Sequence, residues 1–105
     1  MANVKQLTAI DALWREHCDT PFPPGLAGQE VGGICVTSLD SFASGCIQTF
    51  LARRGSLDDE RAEILRNCKQ NLAVVIPHLK GEGQAYFARL ERLVGIIMVV
   101  LADEE

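Results

Sequence analysis

A chain of 105 residues, 48% of them apolar, is long enough for one domain with a modest core and too apolar for wholesale disorder. Its formal charge of −4 and pI of about 5.1 argue against general binding to nucleic-acid phosphates, which needs a basic face. The longest apolar run, "LVGIIMVVLA" at 93–102, falls well short of the roughly 20 residues of a membrane span. The N-terminal stretch "MANVKQLTAIDALWREHC" lacks the uninterrupted apolar run of a secretory signal, so the expectation is a cytoplasmic protein with neither nucleic acid nor membrane as partner.

The first predicted helix runs from Val4 to about His17. Asn3 is its expected cap, because a short side-chain oxygen satisfies an orphan backbone N–H. Val4, Leu7, Ile10, Leu13 and Trp14 recur at helical spacing. "DTPFPPG" at 19–25 ends this helix, since Pro21, Pro23 and Pro24 lack N–H donors and push their preceding residues toward extended geometry.

"EVGGICV", residues 30–36, is the one strand-like stretch. Gly32 and Gly33 suit the two positive-φ positions of a tight hairpin turn. Gln29–Val31 and Ile34–Val36 are the predicted arms, with an irregular extended loop as the alternative. The second helix is expected to begin near Ser38 or Asp40. Its apolar stripe is Leu39, Phe42, Ala43, Cys46, Ile47, Phe50 and Leu51. Gly45 inside it costs roughly 1 kcal/mol relative to Ala, which a close helix or backbone contact would offset. "RRG" closes it, with Gly55 at the left-handed C-terminal position.

Ser56 is the expected cap of the third helix, and Asp58, Asp59 and Glu60 place negative charge in its first turn. Ala62, Leu65, Cys68, Leu72, Val75, Ile76 and Leu79 mark the buried stripe. Pro77 predicts a kink or a short non-α step between Val75 and Leu79, because it removes a hydrogen bond and clashes with the preceding turn. "KGEG" at 80–83 is the predicted turn. The fourth helix follows from about Glu82 to Ala102, with Tyr86, Phe87, Leu90, Val94, Ile97 and Leu101 on one face. Ile96, Val99 and Val100 lie largely off that face. A helix apolar on two sides needs cover on both, so a homodimer through Ile96, Ile97, Val99 and Val100 is expected. Residues 81–105 carry five acids against two bases and read as a solvated acidic end.

The motifs assign no catalytic, cofactor-binding or metal-ligating residue. Cys18, Cys35, Cys46 and Cys68 form no C-x-x-C pair. Cys46 and Cys68 fall on core stripes, where reduced cysteine acts as a small apolar residue. "EHCD" at 16–19 reads as a polar helix end, with His17 favoured by the helix dipole when protonated. Cys18 with His78 is the one conceivable nucleophile–base pair. The glycines of "PGLAGQEVGG" fit neither phosphate-loop spacing. "DDER" at 58–61 reads as dipole complement rather than a metal site.

The expectation is therefore an all-α, four-helix bundle-like single domain over 1–105, with an extended or hairpin insert at about 19–37. The expected function is a small protein-binding module, such as an inhibitor, immunity-type protein or adaptor. It would use no cofactor and meet its protein partner through the insert residues Phe22, Gln29, Val31, Gly32, Gly33 and Ile34, since long non-helical inserts in compact domains are uncommon and often functional; an insert that only caps one end of the bundle is the alternative. The alternative is a metal or small-ligand sensor using Cys18, Cys35 or His17.

Overall fold

The computed structural model describes residues 2–103. Four helices, α1 (Val4–Cys18), α2 (Val36–Ala52), α3 (Asp59–Val75) and α4 (Gly81–Ala102), form an all-α bundle. A two-stranded antiparallel hairpin, β1 (Glu30–Val31) and β2 (Ile34–Cys35), stands between α1 and α2. Glu104 and Glu105 of the predicted acidic end lie outside the described residues.

Local chemistry explains most boundaries. Asn3 caps α1 in a reciprocal box: its Oδ1 accepts from the Gln6 amide at 2.8 Å, and Gln6 Oε1 accepts from the Asn3 amide at 3.0 Å. In the hairpin, Glu30 pairs with Cys35 and Val31 with Ile34. Gly32 and Gly33 both take positive φ, 59° and 80°, the tight turn that the glycine pair predicts. The left-handed position that closes α2 falls on Arg54, φ 55°, rather than on Gly55. The Gly55 amide donates to the Phe50 carbonyl at 2.8 Å, and Gly55 itself has φ 104°, where a Cβ would lie 2.5 Å from that of Ala2. Pro77 ends α3 at Val75 and converts Ile76–His78 into a single 3-10 turn, as its missing N–H requires.

Two starts differ from expectation. Helix α2 begins at Val36 rather than near Ser38 or Asp40, with Cys35 in the cap position. The second hairpin arm therefore runs directly into the helix, and the Val36 amide donates to the Gln29 carbonyl at 3.1 Å to close the base. Helix α3 is capped by Asp58, not Ser56. The Asp58 carboxylate accepts from the Arg61 amide and also pairs with the guanidinium groups of Arg61 and Arg53, at 3.0 and 3.3 Å. A hydroxyl at Ser56 has no comparable cationic partners.

The core is dry and centred on Phe50 and Phe87, with Ile47, Leu65, Leu72, Leu90 and Ile97. Cys46 and Cys68 are buried in it as free thiols. Three side chains depart from their predicted settings. Phe42 is 61% exposed although it was placed on the core stripe. At 3.6 residues per turn it lies about 90° round from the centre of the stripe, at its very edge. Gly45 faces open space, with nothing within 4 Å of a Cβ built there, so no close approach offsets its cost. His17, expected as a polar helix end, is buried. It lies one turn beyond Trp14 and two beyond Ile10, on the apolar side of α1.

Candidate functional site

The non-helical segment between α1 and α2 divides into two parts with different roles. Residues 19–29 form a strap across the start of α4. Phe22 packs edge-on against Tyr86 and Phe87, with ring centroids 5.5 and 6.0 Å apart. Pro23 is buried, and the Gly28 amide donates to Thr37 Oγ1 at 2.9 Å. Phe22 therefore serves packing. Gln29 contributes its carbonyl to the hairpin base, and Val31 is half-buried. Gly32 lies against Val74 and His78.

Of the predicted insert residues, Ile34 is the one that reaches a cavity. A groove of about 420 Å³ opens where β2 meets α2 and α3. Ile34 and Ile64 form walls, buried Leu39 and Cys68 the floor, and exposed Phe42 the lip. Its polar groups are Ser38, Asn67, Asn71 and the Cys35 thiol. The arrangement is an apolar slot with a few hydrogen-bonding groups at its rim, the usual constitution of a small binding site.

The thiols of this region differ by environment. Ser38 Oγ donates to Cys35 Sγ at 3.4 Å and holds the thiol pKa below its ordinary value. The amides of Ser38 and Thr37 at the start of α2 act in the same direction, while desolvation and Glu30 oppose them. Burial, and secondarily the neighbouring Cys46, push Cys68 up to about 11. Burial also raises Cys46, whose Sγ lies 3.6 Å from the Arg61 carbonyl oxygen. Cys35 is thus the thiol whose pKa is lowered, while Cys46 and Cys68 are core atoms.

A second polar cluster lies at the junction of α1, α2 and α4. Tyr86 donates to Asp40 Oδ1 at 2.8 Å, and Arg89 donates to Thr20 Oγ1 at 2.7 Å. Burial raises the Asp40 carboxyl despite the Tyr86 bond; the Tyr86 hydroxyl is itself raised by burial and then by Asp40. The His17 ring lies on Tyr86, with centroids 4.3 Å apart, and burial followed by the Arg89 charge pushes it down to about 4. The "EHCD" residues do not converge, because Glu16, Cys18 and Asp19 are exposed around buried His17. His78 lies instead against the Gly32 turn. Among the described residues, no group of three or more His, Cys, Asp or Glu side chains is placed to hold a metal ion.

Helix α4 separates the four residues of the predicted dimer contact. Ile97 and Val100 are buried in the chain's own core; Ile96 is half-buried and Val99 is 60% exposed. The groove and the cap position of Cys35 were not foreseen. No capping signal marked that start: Cys35 makes no side-chain cap hydrogen bond and is not among the usual capping residue types. No family model, curated protein or solved structure matches the chain.

Proposed function

We propose that this chain is a protein-binding module whose docking surface is the groove between the hairpin, α2 and α3. The observation that carries this reading is Phe42, a largely exposed phenylalanine at the lip of an apolar slot. The partner is a protein segment that presents one aliphatic or aromatic anchor to Leu39 and Phe42. Asn67 and Asn71 then meet its backbone amides and carbonyls. Interfaces concentrate their energy in such anchors. The hairpin acts as a wall rather than as an edge for a further strand, since each of its strands has only two residues.

Selection from a random peptide library tests this. The expected peptides share an apolar anchor, lose binding to Phe42→Glu, and shift the amide resonances of Ile34, Leu39 and Asn67. Peptides that bind Phe42→Glu equally well, or that map away from the groove, would overturn the reading.

Self-association through α4 belongs to the same proposal, with a contact reduced to Ile96 and Val99. Exposed Val99 supports it, since an apolar side chain standing off the core face is cheapest when covered by its symmetry mate. Val99→Glu then gives a monomer from a wild-type dimer, and sedimentation of wild type as an 11.5 kDa species would remove the dimer from the proposal. Free thiols at all four cysteines suit a reducing, cytoplasmic setting, and no helix among the described residues is long and apolar enough to cross a membrane.

A further inference from the structure

Helix α1 is held to the bundle by few buried side chains. It contributes only Ile10 and His17 to the buried set, whereas α4 contributes seven residues. Leu7, Leu13 and Trp14 pack half-buried against the same core, and of the two fully buried side chains one, His17, is titratable. His17 is 2% exposed, and neither ring nitrogen has a hydrogen-bond partner. The ring lies between Tyr86 of α4, at 4.3 Å, and Trp14 of α1, at 5.9 Å. Neutral imidazole leaves one N–H and one acceptor nitrogen unpartnered in this cradle but carries no charge into it. The cradle rejects imidazolium, whose charge and two N–H donors would be buried without partners.

We infer that α1 is an acid-released element: protonation of His17 undocks Val4–Cys18 from α4 while α2, α3 and α4 stay packed together. Release uncovers the Tyr86 end of α4, so the device converts a fall in pH into exposure of an apolar face. The second half of the inference rests on where the core lies. Phe50, Leu65, Leu72, Phe87, Leu90 and Ile97 all belong to α2, α3 and α4, with Ile10 as the one fully buried apolar residue that α1 adds to their cluster.

The charged and titratable groups around the ring favour this outcome. On α4, the Arg89 guanidinium opposes a second positive charge, and the Tyr86 hydroxyl stays neutral. On α2, Asp40 is engaged by the Tyr86 hydroxyl, and burial already draws its carboxyl toward the neutral form. At the end of α1, Glu16, Cys18 and Asp19 are all exposed to solvent, and partial desolvation followed by the Asp19 and Asp40 charges raises the Cys18 thiol, which stays neutral. The strap presents uncharged Thr20 and Phe22. The docked form therefore binds fewer protons than the released form between pH 6.5 and about 4. The contribution of neutral His17 to docking is fully present above 6.5 and is lost as pH falls through that window.

Amide hydrogen exchange of the intact chain at pH 7.5 and 5.0, corrected for intrinsic rates, tests the inference. The opening equilibrium of α1 amides is expected to rise roughly 25-fold between those two values, with protection in α2, α3 and α4 unchanged. His17→Phe keeps the aromatic packing and removes the proton site, so its α1 protection should be independent of pH; His78→Gln should behave as wild type. Where His17→Phe fails to fold, the His17 ring signals of the wild type decide, and they must titrate below pH 5. A His17 ring titrating at pH 6 or above, α1 protection that does not change with pH, or loss of protection in all four helices together would each overturn the inference.

Discussion

The seam between α2 and α3 has a closed end and an open end. At the closed end, Cys46 and Phe50 are buried, and Cys46 meets the Arg61 carbonyl across the seam. At the open end, Phe42 and Cys35 line a groove and Phe42 stands 61% exposed. The same two residue types, on α2 and at its cap, are core atoms in one place and groove-lining groups in the other. The difference lies in what covers them. Phe50 sits near the centre of the apolar stripe, where α3 and α4 close over it. Phe42 sits at the stripe's edge, where α3 lines the far side of a groove and the hairpin of two-residue strands does not close over it.

Truncation at the closed end is the strongest way to sharpen this contrast. Phe50 is fully buried, so Phe50→Ala should lower unfolding free energy by about 3–5 kcal/mol, the lost transfer energy plus the cavity left behind. Urea unfolding of the variant measures it. A loss below about 1 kcal/mol would mean the closed end can collapse around the missing ring, and the contrast would fail.

Thiol chemistry probes the same two ends with a smaller effect. Cys35 has its thiolate favoured by Ser38, while Cys46 and Cys68 are raised by burial and reached only through opening of the core. Alkylation of the native protein near pH 7.5 should modify Cys35 at least about a hundredfold faster than either buried thiol. Mass spectrometry of a time course resolves the sites. Equal rates at Cys35 and Cys68 would show that the groove floor is open to solvent.

These contrasts also show where the sequence is readable. The helices, the Gly32-Gly33 turn and the break at Pro77 follow from local rules: capping side chains, positive φ and a missing N–H act within a few residues. The buried thiols were legible for a similar reason, since their positions repeat at helical spacing with Leu and Phe. What periodicity does not carry is the thickness of the cover. It placed Phe42 on an apolar face without saying that nothing closes over that edge. It also set His17 among polar neighbours in "EHCD", although its own spacing from Ile10 and Trp14 turns it inward. On α4 the pattern set Val99 off the core face, where it is exposed, but grouped with it Ile96, which packs half-buried against the core, and Val100, which the bundle buries. The groove itself depends on how α2, α3 and a hairpin meet, a long-range property that no single stretch encodes.

The smallest expected effect is the most discriminating. Phe42→Ala removes a ring that is mostly in water, so little transfer energy is lost. Alanine is also the better helix former by roughly half a kcal/mol, which offsets the contacts the ring makes with the groove. Unfolding free energy should therefore change by no more than about 0.5 kcal/mol, as at other surface positions. Peptides selected on the groove should nevertheless bind at least about tenfold more weakly, because a central aromatic anchor commonly carries more than 1 kcal/mol of binding energy. Stability kept and binding lost is the signature of a recognition residue. A drop in stability of 2 kcal/mol or more would instead make Phe42 a packing residue whose exposure conceals a structural contact. The open end of the seam would then be a second part of the core rather than a docking surface.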